Sequence, residues 1–180
     1  DINPNIYWSY GRVFNITQKI GFRETSYLLN TPSKNEARML FDSRTTLTTK
    51  FYKKYSKFLH IVEPSLEYQH IPDTDHNDIP FFDSIDSISQ TSSINYALTN
   101  RISGLNSNNL GMRFRVSQSY SLLNVEKNFT PLLAEATFNS GQFDLSMNAS
   151  YDVHDGNVSE TIAEIKYNGN KYNFAAGKNF

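Results

Sequence analysis

The sequence contains no cysteine among its 180 residues. Disulfides within the chain and metal sites built on cysteine are therefore excluded. Charged residues make up only 19% of the chain and the formal net charge is −1. Without an excess of positive charge the chain offers no electrostatic footprint for nucleic acid. A soluble helical domain with this mean hydropathy, −0.52, would usually carry more Lys and Glu.

Long apolar runs are also missing. No segment approaches the roughly 18–20 consecutive apolar residues of a membrane helix. Transmembrane β-strands need only about 9–11 residues of alternating character, so a membrane-embedded β-barrel stays open. The chain begins "DINPNIYW", which lacks the basic start and apolar core of a signal peptide. We therefore expect either a processed chain or a portion of a longer one.

Aromatic residues reach 14% and stand among many Ser, Thr and Asn residues, which suits strands that are apolar on one face and wet on the other. Alternation with a period of two is most regular at 93–103, 110–122 and 142–153. The same pattern, less regular, occupies 5–10, 13–28, 36–52, 58–71, 131–139, 158–167 and 171–180. Residues 131–138 have helical propensity, but their alternation favours a strand. The pattern predicts an all-β chain of about ten antiparallel strands.

The connections between these strands alternate in length. The short ones lie at 53–57, 105–109, 140–141 and 168–169, the last two being the hairpin signals Ser-Gly and Asn-Gly. The longer ones lie at 29–35, 72–92 and 123–130, with a moderate one at 154–157. In outer-membrane barrels the short turns are periplasmic and the long loops are extracellular. The alternation predicts an antiparallel up-and-down transmembrane β-barrel.

Three all-β interpretations are compatible with the pattern: one region of a large membrane barrel, a complete small porin-like or adhesin-like barrel, and a soluble lipid-binding sandwich or barrel. Segments such as 13–28 and 36–52 exceed the common strand length of about 5–6 residues and can cross an apolar band of about 25 Å. The polar face mixes Arg, Lys, Glu and Asp, which suits a wide hydrated lumen better than a packed interior. These features favour a membrane barrel.

Several short motifs occur in a specific order. The first strand-like motif, H-x-x-x-P-x-x-x-Y-x-x-I-P, consists of His60, Pro64, Tyr68, Ile71 and Pro72. An acidic stretch and the motif P-x-F-D-S follow, formed by Pro80, Phe82, Asp83 and Ser84. Next comes "LTNRISG" at 98–104, which carries Asn100, Arg101 and Gly104, and upstream lies "GFRETSYLL" at 21–29. Together these motifs resemble the C-terminal barrel of the lipopolysaccharide-assembly outer-membrane family, LptD or organic solvent tolerance protein. The resemblance covers most of 14–122 and departs from the family at Leu105-Asn106, where Asp-Arg is typical.

The resemblance implies a non-enzymatic translocon component that inserts lipopolysaccharide into the outer leaflet of the Gram-negative outer membrane. The family's barrel has more than two dozen strands, follows a periplasmic β-jellyroll and encloses a plug lipoprotein. Lipid leaves it through a seam between the first and last strands. We therefore expect 1–180 to be a single region of barrel wall away from the seam. The implied partners are lipopolysaccharide, the plug lipoprotein, outer-membrane lipid, and periplasmic bridge proteins reached through an N-terminal domain. No cofactor is implied.

The stretch "IPDTDHNDIPFFDSID" at 71–86 has the composition of a cation site. Its candidate ligands, with the preceding histidine, are His70, Asp73, Asp75, His76 and Asp78. The pattern D-x-D-x-N at 73–77 imitates the start of a calcium loop, but the sixth position is Asp78 instead of Gly and the twelfth is Ser84 instead of Glu. We expect a solvated extracellular loop that caps the barrel mouth. Pro72 should end the preceding strand, because proline cannot donate to a ladder.

Charged residues on the polar face are the remaining candidates. Glu63 and Glu67 share a strand face and could serve as general acid and base, but a pair lining the lumen is favoured. The four histidines lack the context of a G-x-S-x-G or H-E-x-x-H motif, so no catalytic site is predicted. Arg101, Arg113 and Arg115 could contact sugar phosphates or the plug. The alternative is a charge ladder balanced by acidic residues on neighbouring strands.

Overall fold

The computed structural model describes residues 5–10, 13–28, 35–73, 89–105, 110–123 and 125–180, without the side chains of 5, 7–10, 26–28 and 35–38. The strands within these ranges are β1 (Asn5–Tyr10), β2 (Phe14–Leu28), β3 (Asn35–Thr49), β4 (Phe51–Lys54), β5 (Phe58–Ile71), β6 (Thr91–Gly104), β7 (Leu110–Ser121), β8 (Leu132–Ser140), β9 (Phe143–Asp152), β10 (Asn157–Asn168) and β11 (Asn173–Asn179). These ranges contain no helix long and apolar enough to cross a membrane. The predicted all-β class and the predicted strand positions are confirmed.

All strands belong to one antiparallel sheet in which sequence neighbours pair side by side. The order is β1-β2-β3-β5-β6-β7-β8-β9-β10-β11, with β4 also paired to β5. This is the predicted up-and-down arrangement of a barrel wall. Within the described ranges β1 pairs only with β2 and β11 only with β10, so the sheet is open at both edges. The short and the longer connections lie at opposite ends of the strands, as the alternation predicted.

β3 and β4 are two parts of one long strand. Both pair with β5 in the same register, since Thr48 lies opposite Ser65 and Phe51 opposite Val62. The ladder is interrupted between these pairs, at the height of Pro64. Proline has no N–H to donate, so a ladder beside it must lose a hydrogen bond. The sequence predicted one strand at 36–52, and the structure shows that strand with this gap.

The two-residue turn between β8 and β9 sets the register of that hairpin. Ser140 pairs with Phe143, and Gly141 has a φ of +57°. A left-handed backbone favours glycine there because it has no Cβ to clash. The β9–β10 turn is closed by Asp152, whose Oδ1 accepts N–H bonds from His154 at 2.8 Å and Asp155 at 3.1 Å.

The two faces of the sheet differ in chemistry, as the alternation predicted. The apolar face carries, across successive strands, Leu66, Leu98, Phe114, Phe138, Leu145 and Ile165. The polar face carries Glu67, Thr99, Arg115, Glu135, Ser146 and Glu164. Only Gly21, Leu40, Thr49, Ala97 and Thr99 are buried among the described residues, and none of the large side chains described is fully buried. A soluble sandwich needs a second layer over the apolar face, and the described residues form only one.

Aromatic side chains mark both ends of the apolar face. The pairs that bound it are Phe14 and Phe22 on β2, Phe41 and Phe51 on β3–β4, Phe58 and Tyr68 on β5, and Phe143 and Tyr151 on β9. Each pair spans nine or eleven residues of strand, the two aromatic residues included. A tilted strand needs about 9–11 residues to cross the hydrocarbon core, and aromatic girdles lie at both interfaces of such barrels. The stretch between the girdles is called the apolar band below.

Candidate functional site on the polar face

Glu63 of β5 lies between two cations that belong to different strands. Its Oε1 is 3.0 Å from Lys50 Nζ, in the gap between β3 and β4, and its Oε2 accepts a hydrogen bond of 2.6 Å from Arg101 Nε on β6. The Glu63 side chain is 18% exposed, whereas Lys50 and Arg101 are 66% and 48% exposed. One carboxylate thus joins three segments of the wall.

Glu67, four residues further along β5 on the same face, is the centre of a second network. Its carboxylate accepts hydrogen bonds from Thr46 Oγ1 at 3.0 Å and Asn95 Nδ2 at 3.2 Å. Arg44 Nε lies 3.7 Å from its Oε1. Asn95 in turn accepts a short bond from the Ser119 hydroxyl. The network runs from β3 to β7 and occupies both oxygens of Glu67.

The two arginines of β7 share one acid on β8. Arg113 Nη2 is 3.4 Å and Arg115 Nε is 3.7 Å from Glu135 Oε2. Together with Arg101 on Glu63, all three arginines singled out from sequence are ion-paired to a neighbouring strand. This geometry is that of the charge ladder. The same arginines are partly exposed, between 28% and 48%, so they can also meet a ligand.

Asp144 continues the lateral contacts toward β10. It accepts hydrogen bonds from Asn139 Nδ2 at 2.6 Å and Asn168 Nδ2 at 2.9 Å. Every neighbouring strand pair from β3 to β10 is therefore joined by at least one side-chain bond on the polar face. Such cross-strand pairs contribute roughly 0.2–1 kcal/mol each, so several together stiffen a sheet that lacks a core.

A groove of about 390 Å³ opens on the polar face above these networks. The polar residues that line it include Thr46, Thr48, Ser65, Glu67, Asn95, Arg115, Ser117, Gln118, Ser119 and Thr130. Hydroxyl and amide groups can both donate and accept, and Arg115 brings a fixed positive charge. The groove is therefore suited to a hydroxyl-rich or phosphate-bearing molecule, or to polar side chains of another protein.

The motif residues lie on both faces of the sheet. His60, Pro64 and Tyr68 point to the apolar face at intervals of four along β5. Asn100 lies on that same face, opposite Val62. By contrast, Arg101 joins the polar ladder, Gly104 ends β6 and Pro72 directly follows β5. Pro80, Phe82 and Asp83 are outside the described residues, as are Ser84 and most of the predicted capping loop.

The predicted cation ligands fall only partly within the structure. Asp75, His76 and Asp78 lie outside the described residues, while Asp73 is exposed. The Nδ1 atom of His70 is buried without a hydrogen-bond partner, and its ring stacks on Tyr68 at 6.3 Å. Within the described ranges no group of three or more ligand side chains could hold a metal ion.

Comparison with known protein families shows to which family this chain belongs. A family model, LptD, described as LPS transport system D, matches residues 1–179. The chain belongs to the LptD family. The resemblance inferred from short motifs within 14–122 is confirmed, and it extends over nearly the whole chain. No curated protein matches the sequence. The LptD family acts in lipopolysaccharide transport and assembly at the outer membrane, together with the Lpt transport machinery, as a transport component and not an enzyme.

Sequence reasoning missed one partner in most of the polar-face contacts of this LptD-family wall, although it named both members of the Glu63–Arg101 pair. The residues missed are Lys50, Arg44, Asn95 and Glu135, which are not among the site residues predicted from the sequence. Lys50 and Arg44 could have been found from the sequence. The short turn at 53–57 folds β5 back alongside the strand that carries them, and this places the two glutamates of β5 beside them. Glu135 could not have been found, because a long connection separates β7 from β8 and leaves their register undetermined.

Proposed function

We propose that this chain forms part of the wall of an outer-membrane translocon that delivers lipopolysaccharide to the outer leaflet. The observation that carries the proposal is the family match over 1–179 on a sheet with one apolar and one polar face. The apolar band faces lipid, and the polar face lines a hydrated lumen. The segment supplies wall and lumen surface and does not form the lateral seam. It performs no covalent chemistry.

The polar face is the surface that meets the sugar part of the cargo or the plug lipoprotein. We assign this contact to Glu63, Glu67, Arg101, Arg113 and Arg115. Ion pairing supports the role, because a wall of balanced charge can exchange a carboxylate partner for a phosphate at little net cost. A wall of free arginines would instead retain an anionic cargo.

The longer connections face the cell exterior in this proposal, and the acidic loop after β5 caps the barrel mouth. The two-residue β8–β9 turn and its counterparts face the periplasm, where bridge proteins deliver the cargo through a preceding domain. Long extracellular loops and short periplasmic turns are the rule in outer-membrane barrels. The cell envelope concerned is therefore that of a Gram-negative bacterium.

Crosslinking in living cells tests the proposal. A photo-crosslinking amino acid is placed at Ser117, in the polar groove, and separately at Leu98, on the apolar face. We expect Ser117 to capture lipopolysaccharide or the plug only while transport runs, since the groove is reached from the lumen. At Leu98 the label should capture bulk membrane lipid irrespective of transport.

Depletion of the intact protein provides the functional readout. Newly made lipopolysaccharide should stop reaching the cell surface, and the cells should become permeable to large antibiotics and organic solvents. Unchanged surface lipopolysaccharide after depletion would refute the transport role. Capture of bulk lipid at Ser117 would refute the assignment of the polar face to the lumen.

A further inference from the structure

The apolar face is not uniform, because a groove of about 890 Å³ crosses it from β7 to β11. Its floor contains the small side chains Ala136, Ala163 and Ala176, and its walls include Phe114 and Met147. On β5 and β6 the same band carries bulky residues at the equivalent positions, such as Leu66 opposite Tyr96. The trough coincides with three alanines on β8, β10 and β11, of which the first two flank Met147 of β9.

Lys178 lines this groove on its β11 side. It lies on the apolar face of β11, opposite Ala163 in the middle of β10. A lysine at the midplane of the lipid face costs about 2–4 kcal/mol unless its ammonium reaches the interface or a partner. Among the described residues no carboxylate lies within ion-pairing distance of Lys178. Within the described part of the chain its ammonium therefore meets an aromatic ring but no anion.

The Lys178 side chain extends toward the edge of the band that we place on the exterior. Its Nζ lies 4.1 Å from the centre of the Phe180 ring. Phe180 is hydrogen-bonded through its backbone to Thr161, which is two residues nearer than Ala163 to the β9–β10 turn. Lysine reaches toward an interface in this way, with its alkyl stem along apolar surface and its head toward water.

We propose that this groove is a binding site for a phosphorylated, multiply acylated lipid of the outer leaflet, namely the lipid part of lipopolysaccharide. Acyl chains lie in the alanine-floored trough, and Lys178 pairs with a phosphate near the outer interface. The chemistry matches at both ends, since the groove lining is apolar and the charge is opposite to that of the lipid. The site lies outside the barrel, apart from the lumen route, and its choice of lipid rests on the proposed function.

Photo-crosslinking in nanodiscs tests this site with the intact protein. The discs contain phosphatidylcholine with a minor fraction of diphosphorylated lipid A. The label replaces Met147 in the groove or Leu98 on the apolar face outside it; the two are 47% and 45% exposed. The measured quantity is the ratio of lipid A to phosphatidylcholine captured at each label. We expect this ratio to be about tenfold higher at Met147 than at Leu98, because one charge-assisted contact gives a factor of about ten.

Lys178→Gln should lower this preference about tenfold, and Lys178→Arg should retain it, because the charge is kept. Lipid A without its phosphates should show, with the native protein, the same reduced preference for Met147 that intact lipid A shows with Lys178→Gln. Equal preference for lipid A at both label positions, or no change with Lys178→Gln, would refute the lipid site in the groove and leave the proposed function standing. Absence of any lipid adduct at both positions would instead refute the membrane placement, and with it the proposed function.

Discussion

Glu63 is the shared anion of two ion pairs, so a single substitution there removes both. It holds Lys50 and Arg101 from opposite sides, so Glu63→Gln leaves two cations near each other with no anion between them. Lys50 is 66% and Arg101 48% exposed, so water screens both cations. We expect a loss of about 1 kcal/mol in the free energy of unfolding, measured by urea titration of the intact protein in detergent.

The matched control for Glu63→Gln is Glu160→Gln on β10. Glu160 is exposed and has no ion pair in the part of the chain that the structure describes. Its substitution should change the unfolding free energy by less than about 0.5 kcal/mol. In high salt the effect at Glu63 should shrink, because the remaining repulsion is screened. Equal effects at both positions would mean that the three-strand ion pair adds no stability.

The face of each residue could be predicted from the sequence, whereas its partner often could not. Alternation alone places Arg101, Arg113 and Arg115 on the polar face, since side chains alternate strictly along a strand. Which side chains contact each other depends on the register between two strands, and the sequence determines that register only where the connecting turn is short. Asn139 and Asp144 flank a two-residue turn, so their contact follows from local sequence. The contact of Glu135 with the β7 arginines does not.

At the scale of elements, the β8–β9 hairpin depends on Gly141. Its φ of +57° is a left-handed conformation that costs a residue with a Cβ about 1–2 kcal/mol. Gly141→Ala should therefore lower the unfolding free energy by about 1 kcal/mol, and Gly141→Asn by less, because asparagine tolerates that conformation better. Urea titration of the intact protein in detergent measures both.

Gly111 on β7 provides the comparison for the turn glycine. A Cβ there would meet only Asn139 Oδ1, at 3.7 Å, an ordinary contact. Gly111→Ala should thus be neutral within about 0.5 kcal/mol. If alanine were equally harmless at Gly141, the hairpin would not need glycine at that position.

Most elements could be predicted from the sequence because each long strand repeats its alternation many times. The boundary between β3 and β4 is the exception. Nothing in 36–52 indicates an interruption, because its cause is Pro64 on the neighbouring strand. The proline itself was recognised as part of a motif, and its effect became visible only with the register of β5. An element's continuity can thus be decided by the strand beside it.

At the scale of the whole molecule, a single sheet without a buried core must derive its stability elsewhere. Backbone ladders join all neighbouring strands of the sheet, and such pairing is what a hydrocarbon surrounding requires of the backbone. Side-chain bonds on the polar face join β3 through β10, and in the proposed orientation the bilayer covers the opposite face. In that orientation the same chain is a polar wall on one side and a lipid contact on the other.

Adjacent residues at the centre of β9 test this division most directly. Met147 lies on the apolar face midway between Phe143 and Tyr151, and Ser146 lies on the polar face opposite Glu164. Met147→Arg should destabilise the protein in lipid by about 2–4 kcal/mol, the cost of an arginine at the midplane of the lipid face. Ser146→Arg puts the same side chain into the hydrated lumen beside an acid and should cost less than about 0.5 kcal/mol. Urea titration of both variants in lipid vesicles gives the difference. If Ser146→Arg lost more unfolding free energy than Met147→Arg, the face of Ser146 would be the one that meets lipid. Equal losses would mean that neither face meets lipid.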